Sequence, residues 1–254
     1  MGACTRERAR LRTPCWAYWP LAPLLAWQGQ QVRQRTPKLP EPAGEREGEA
    51  GEGTPLSLLI VGDSSAAGVG VASQADALSG QLLAALAPGF RVRWQLRAQS
   101  GLTSDEMLAW LAAEPPARCD VAVSVLGVND VTSQQPLARF VEMQRALVER
   151  LQGLGARRVL LCALPPMQCF PALPAPLAGY LGARARRYDA ALAALCAATP
   201  GCRRVGFTGR AEPGWVASDG FHPGAACYRA WGGALARSII DAWPQAQGTG
   251  TRRS

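Results

Sequence analysis

Short apolar runs alternate with segments of helical periodicity from residue 55 onward. The two clearest runs, residues 56–61 and 120–126, are rich in Leu and Val and each is followed by or ends beside a glycine. Continuous apolar runs of this length are typical of strands that are covered on both faces. Residues 157–164 form a third such run, and residues 91–98 and 203–207 are weaker ones.

Between these runs, apolar residues recur at helical spacing, and Thr103 and Glu106 add a capping-box signal before one of the segments. Five alternations of strand and helix predict a three-layer α/β fold with a parallel sheet. Ligands of such sheets bind beyond the carboxyl ends of the strands, so we expect the chemistry in the loops that follow each strand. The predicted helices are residues 75–86, 104–113, 137–151, 177–198 and 225–243.

The first 54 residues do not follow this alternation. An Arg-rich start leads into an apolar, Trp-containing stretch at 16–27, and the Pro, Gly and Glu of 36–54 indicate a linker or a long surface loop. The apolar stretch is too short to span a bilayer and matches a signal peptide poorly, which favours an intracellular or membrane-associated protein. We expect a folded domain at residues 55–243 and a C-terminal tail at 244–254. Two interpretations of the N-terminal segment stay open: residues 1–35 contact a membrane surface, or the segment is an arm that packs on the folded domain.

The amino-acid composition excludes several kinds of functional site. The chain of 254 residues has 48% hydrophobic residues, enough for a real core, and a net charge of +8. Its arginines are spread along the chain rather than gathered in one run, so no nucleic-acid site is predicted. A single histidine excludes a zinc site built on several imidazoles. The eight cysteines contain no CxxC pair and are best explained as small buried residues with a few surface thiols, and disulfides are the alternative if the chain is exported. We therefore expect neither a metal nor a cofactor.

The loop after the first apolar run carries two serines in a turn of small residues. Gly62 and Asp63 open this turn, and a helix that begins there would place a serine hydroxyl beside backbone N–H groups and the positive end of the helix dipole. A phosphate-binding loop is the competing interpretation, but its pattern requires a lysine after the last glycine. Lys38, the single lysine, lies outside the turn.

Three further loops carry residues that suit the chemistry of a serine nucleophile. Gly101 precedes a predicted helix, where the missing Cβ lets a backbone N–H approach a ligand. Asn129 follows the next strand with a side-chain amide of the kind that donates to an oxyanion. In the loop before the last helix, Asp219 precedes His222 by three residues, and a serine nucleophile needs a base that a carboxylate orients. Each of these features taken alone is also typical of a structural turn.

Taken together, the four loops resemble the four sequence blocks of the SGNH, or GDSL-type, hydrolases, in the same order and strand context over about residues 56–241. Ser65 stands where that family usually has Leu. The resemblance implies a flavodoxin-like fold with a five-stranded parallel sheet of order 2-1-3-4-5. It also implies Ser64 as nucleophile, His222 as general base and Asp219 as its orienting partner. The implied oxyanion hole consists of the backbone N–H groups of Ser64 and Gly101 and the side chain of Asn129.

The implied activity is that of a metal-independent serine esterase that acts on a small-molecule or lipid ester through an acyl-enzyme. A proline-rich loop after the fourth strand either covers the sheet edge or supplies the wall of a pocket for short to medium acyl chains, with Met167, Phe170 and Leu173 as contacts. Thioesterase, lysophospholipase and carbohydrate acetylesterase are alternative activities within the family. A non-catalytic lipid- or anion-binding protein is the alternative of a different class.

Overall fold

The computed structural model describes residues 15–206 and 214–243, with the side chains of all of these except residues 15 and 16. A central sheet lies between two layers of helices, as the alternation of strand and helix predicts. Five of its strands run parallel in the order β3-β2-β4-β5-β6. Numbered by their place among the parallel strands, this is the expected order 2-1-3-4-5. The parallel strands are β2 (Thr54–Gly62), β3 (Phe90–Ala98), β4 (Val121–Val125), β5 (Arg158–Cys162) and β6 (Cys202–Val205).

The five-stranded count is wrong, because the sheet formed by the described residues has six strands. The additional strand, β1 (Glu47–Ala50), pairs antiparallel with β3 at the edge of the sheet and lies within the predicted linker. Its sequence, Glu-Gly-Glu-Ala, has no β-branched or aromatic residue and therefore little strand propensity. The strand exists through backbone pairing with β3, supported by the Arg46 guanidinium, which donates to the Ala98 carbonyl at 2.6 Å.

Most predicted helices appear with small changes at their ends. The segments at 104–113 and 177–198 are helical over their whole length, and the others begin later or end earlier or later by two or three residues. The helix at 22–35 was not predicted, and residue 207 of the last predicted strand lies outside the described residues. The helices are α1 (Ala22–Arg35), α2 (Ser64–Ala67), α3 (Leu78–Leu86), α4 (Ser104–Ala113), α5 (Val128–Thr132), α6 (Leu137–Gly153), α7 (Leu177–Ala198) and α8 (Ala225–Ile240), with 3-10 helices at Cys15–Leu21 and Met167–Cys169.

The strands are apolar on both faces because each face is covered by helices. In β2, Leu59 and Val61 pack into a cluster with α1, α4, α6 and α7. Leu58 and Ile60 point the other way, into a cluster with α2, α3 and α8. Alternating side chains of one strand thus supply both cores, which is why its sequence is a continuous apolar run.

Five of the described cysteines are free thiols, and all of these except Cys202 are buried. Cys169 is disulfide-bonded, which is the alternative that the sequence left open for the cysteines. Within the described ranges, no helix has the length and apolar character needed to cross a bilayer.

Candidate active site

Ser64 is held at the carboxyl end of the central strand β2. The strand ends at Gly62, where a Cβ would lie 2.5 Å from the Val125 carbonyl oxygen of β4, so only glycine allows this close approach. Asp63 then caps α2: its Oδ1 accepts the backbone N–H of Ser65 at 2.9 Å. Ser64 is consequently the first residue of α2, where the backbone N–H groups have no partner within the helix.

The loop before α8 is a closed turn that carries Asp219 and His222. The N–H of Ala217 donates to the His222 carbonyl at 2.9 Å and closes the turn. Gly220 allows the chain to reverse because it adopts a positive φ of +71°. Asp219 Oδ1 accepts the backbone N–H groups of Phe221 at 2.9 Å and His222 at 3.0 Å. The turn therefore fixes the carboxylate and the imidazole relative to each other.

Ser64, His222 and Asp219 form one hydrogen-bonded chain in the tertiary structure. Ser64 Oγ lies 2.9 Å from His222 Nε2, and His222 Nδ1 lies 2.5 Å from Asp219 Oδ2. The Asp219 side chain has no exposed surface, whereas the His222 side chain is 19% exposed. Burial alone would raise the pKa of Asp219, but the hydrogen bonds from the His222 ring and from the two backbone N–H groups outweigh it and hold this pKa below its usual value.

The three expected oxyanion donors lie on adjoining loops, and Asn129 connects them. Asn129 Nδ2 donates to the carbonyl of Leu102, next to Gly101, at 2.9 Å, and lies 3.4 Å from Asp63 Oδ2, next to Ser64. Gly101 has a φ of +90°, and the space where its Cβ would be is open. Among the described residues, its N–H has no acceptor. A backbone N–H without an acceptor is free to donate to a ligand, as a donor to an oxyanion must be.

Residues 60–230 match the model of the GDSL-like lipase/acylhydrolase family. The chain belongs to this family. Comparison with curated proteins gives no match.

Several solved structures share the fold of this chain. LAE5, described as an alpha/beta hydrolase enzyme from the metagenome of Lake Arreo, Spain, is 20% identical over 75% of this chain and 95% of its own, with a TM-score of 0.57. TesA is 26% identical over 73% of this chain and 98% of its own, with a TM-score of 0.54. A family 3 carbohydrate esterase of Clostridium thermocellum is 16% identical over 74% of this chain and 96% of its own, with a TM-score of 0.57.

Two buried carboxylates, those of Asp63 and Asp130, lie next to the predicted site residues, and the sequence alone assigns neither of them a role. Burial, together with the charge of Asp130, raises the pKa of Asp63 to about 7, although the hydrogen bond from the backbone N–H of Ser65 opposes this rise. Asp130 is fully buried and accepts the backbone N–H of Ser104 at 3.1 Å and its hydroxyl at 3.0 Å. Their positions in the sequence could have indicated a role, because each of the two residues adjoins a predicted site residue in a loop that follows a strand.

The proline-rich loop after β5 offers less open surface than expected. Met167 has no exposed surface, Leu173 is 8% exposed, and both pack in the hydrophobic core. Phe170 alone of the three predicted contacts is half-buried, and its ring meets that of Phe221 edge-on at 5.1 Å between centroids. The Phe221 ring in turn lies 5.4 Å from the His222 ring. Phe170 and Phe221 therefore form the apolar surface beside the imidazole.

A cavity of about 340 Å³ lies between this loop and α1. The turn that holds Asp219 forms part of its wall, and Ala172 joins that turn through its N–H, which donates to the Gly220 carbonyl at 3.0 Å. The remaining lining residues are Gln31, Val32, Arg35, Thr36, Pro37, Pro171 and Pro174. In the described part of the chain, no group of three or more His, Cys, Asp or Glu side chains is placed to hold a metal ion.

Proposed function

We propose that the protein is a serine esterase that hydrolyses carboxylic esters with short to medium acyl chains through an acyl-enzyme intermediate. The observation that carries this proposal is the chain of contacts from Ser64 Oγ to His222 Nε2 at 2.9 Å and from His222 Nδ1 to Asp219 Oδ2 at 2.5 Å. A serine, a base within hydrogen-bond reach and a buried carboxylate behind the base are the parts of an activated nucleophile.

In the first half of the proposed reaction, Ser64 Oγ attacks the ester carbonyl carbon while its proton passes to His222 Nε2. Asp219 holds the imidazole in the tautomer with a proton on Nδ1 and stabilises the imidazolium that forms. The carbon–oxygen bond to the alcohol then breaks, and the leaving oxygen takes the proton from His222. Water repeats the sequence on the acyl-enzyme and releases the acid and the free Ser64 hydroxyl.

The negative charge on the tetrahedral intermediate would be stabilised by the N–H groups of Ser64 and Gly101 and by the Asn129 amide. Asn129 Nδ2 keeps one hydrogen bond to the Leu102 carbonyl, and its longer 3.4 Å contact with Asp63 is the weaker of the two. In the transition state, the Asn129 N–H that faces Asp63 would turn to the oxyanion. Asn129 would then replace a long contact with Asp63 by a short hydrogen bond to a full negative charge. This exchange favours the transition state over the ground state.

The small apolar surface beside His222 supports the assignment of acyl length. Phe170 and Phe221 are half-buried, so they offer the edges of two rings rather than a deep channel. Met167 and Leu173, which would have extended the surface, lie in the core. A short or medium acyl chain can cover this surface, whereas a long chain would extend beyond it into water.

The test uses a fluorophosphonate probe and a series of p-nitrophenyl esters of increasing acyl length. We expect the probe to label the wild type and the Ser65→Ala variant but not Ser64→Ala, because Ser65 contributes its backbone N–H rather than its hydroxyl to the turn. We expect hydrolysis to peak at short or medium chains and to fall to background in Ser64→Ala.

Labelling of Ser64→Ala, or full esterase activity of that variant, would contradict the proposed nucleophile. Acyl-CoA thioesters, lysophospholipids and acetylated sugars belong in the same panel, because a preference for one of them would replace the ester proposed here while leaving the nucleophile in place.

A further inference from the structure

We propose that the outer face of the N-terminal segment docks on the surface of an anionic lipid bilayer. This docking face consists of the apolar side chains Trp19, Leu21, Leu24 and Trp27, followed along the chain by Arg35 and Lys38. The inference concerns binding alone and does not depend on the proposed esterase activity.

Large exposed hydrophobic side chains are concentrated in this one short segment. In residues 17–206 and 214–243, five large hydrophobic side chains are exposed, and four of them lie between residues 19 and 27. Trp19 is 84% exposed and Trp27 is 56% exposed, with Leu21 and Leu24 at 38% and 40%. Scattered exposed apolar residues are ordinary on soluble proteins, but a cluster of this kind marks an interaction surface. Tryptophan in particular prefers the boundary between lipid and water.

The segment is exposed on one side because its other side is firmly attached to the domain. Leu25 is buried in the core, and the buried Gln28 donates to the Ala175 carbonyl at 2.8 Å and accepts the N–H of Leu177 at 3.1 Å. In the preceding 3-10 helix, Tyr18 meets the Tyr180 ring edge-on at 5.8 Å between centroids. The docking face is therefore the outer surface of an anchored helix rather than that of a detached end.

The apolar residues of α1 continue into polar and basic ones along a single stripe. Leu24, Trp27, Gln31 and Arg35 recur at spacings of three or four residues, which places them on one side of the helix. Gln31 and Arg35 also line the cavity whose wall includes the turn of Asp219. A bilayer that meets Trp27 would consequently lie close to the entrance of that cavity.

Charge distinguishes an anionic lipid surface from a neutral one. No Asp or Glu occurs between residues 15 and 40, whereas Arg33, Arg35 and Lys38 are all exposed. Within the described residues, none of these three cations forms a salt bridge; the first acid that follows, Glu41, pairs with Arg46 at 2.5 Å. Unpaired cations beside an apolar cluster complement the phosphate layer of an anionic membrane.

The same charges disfavour a second copy of the chain as the partner that covers the docking face. A symmetric dimer would set the same patch of each copy against the other, which brings the basic ends of the two stripes into one interface. Cations buried in an interface without acidic partners destabilise it, and residues 15–40 contain no acidic residue that could pair with them. An anionic bilayer satisfies the apolar and the basic parts of the face together.

The test is flotation of the full-length protein with vesicles of phosphatidylcholine alone or mixed with phosphatidylglycerol. We expect binding to the anionic vesicles, weaker binding to phosphatidylcholine alone, and weaker binding at high salt. The Trp19→Ala/Trp27→Ala variant should bind at least about tenfold more weakly than the wild type. The Arg35→Gln/Lys38→Gln variant should lose about fivefold per charge, as expected for about 1 kcal/mol per cation near an anionic membrane.

Matched controls come from exposed residues outside the segment. Ile240→Ala removes the fifth exposed hydrophobic side chain, and Arg145→Gln removes an exposed arginine of α6, so both should bind like the wild type. The proposal is overturned if the wild type does not bind anionic vesicles or if the double Trp variant binds as well as the wild type. It is also overturned if light scattering shows a wild-type dimer that dissociates in the double Trp variant while neither protein binds vesicles.

Discussion

Replacing Asp63 with Asn tests the electrostatics of the site without removing any of the three residues in the proposed catalytic chain. Asp63 is 2% exposed, and its Oδ1 accepts the N–H of Ser65 at 2.9 Å. Asparagine is almost the same size and keeps an oxygen for that hydrogen bond. The substitution therefore removes the capacity to ionise while preserving the cap of α2.

The size of the expected change in the free energy of unfolding follows from the pKa of Asp63. Burial, together with the charge of Asp130, raises this pKa from 3.8 to about 7. A folded-state pKa above the unfolded one means that the folded protein binds the proton more tightly. The stability that this proton contributes is complete below pH 4 and is lost as the pH rises to about 7. At 1.36 kcal/mol per pH unit, the full loss is about 4 kcal/mol.

The assay is urea denaturation of the wild type and of Asp63→Asn at pH 5 and pH 8. Between these two pH values, the free energy of unfolding of the wild type should fall by about 3 kcal/mol relative to that of the variant. Asp241→Asn, a change at an exposed carboxylate, should follow the wild type. If the stability difference between Asp63→Asn and the wild type is the same at both pH values, the account of Asp63 as a buried carboxyl with a raised pKa is refuted.

Three further substitutions test the proposed mechanism and the attachment of α1. Asn129→Ala should lower kcat on a p-nitrophenyl ester by about 10²–10³ because one oxyanion donor is lost, and the loss of its hydrogen bond to the Leu102 carbonyl should lower the free energy of unfolding by about 1 kcal/mol; an unchanged kcat would remove Asn129 from the site. Asp219→Asn should lower kcat by about 10⁴, since an amide facing Nδ1 favours the wrong imidazole tautomer; steady-state kinetics at constant pH measure this, and a loss below tenfold would contradict the orienting role. Gln28→Ala should destabilise the protein by about 1–3 kcal/mol and speed hydrogen exchange of α1 amides, because two hydrogen bonds to the Ala175 carbonyl and the Leu177 N–H are lost; unchanged exchange would show that α1 is held by other contacts.

The strands and helices that the sequence predicted well are those in which local pattern and burial agree. Residues 56–61 form a continuous apolar run because β2 supplies both cores, and α4 carries its own capping box at Thr103 and Glu106. The order of the parallel strands followed from the family resemblance, because local pattern does not define neighbours within a sheet. These parts of the fold are local properties of the chain, or properties shared with its family.

The elements that were missed depend on contacts between distant segments. Glu47–Ala50 carries no strand signal and becomes a strand because the edge of β3 offers backbone partners. Met167 and Leu173 have the composition of a pocket wall, yet the packing of the helices around them encloses both in the core. The sequence alone also could not decide whether the N-terminal segment packs on the domain or contacts a membrane. In the structure, α1 has a buried side at Leu25 and an exposed side at Trp27.

The sequence by itself determined which residues are available for chemistry: one histidine, a serine in a turn of small residues after a buried strand, and an aspartate three residues before that histidine. Only the tertiary structure decided that Ser64 and His222, 158 positions apart, stand 2.9 Å from each other. It also decided that Asp63 is buried near a second carboxylate, which raises its pKa to about 7. Distances and burial arise from the packing of segments far apart in the chain, so no local pattern specifies them, whereas the order of residue types is complete in the sequence.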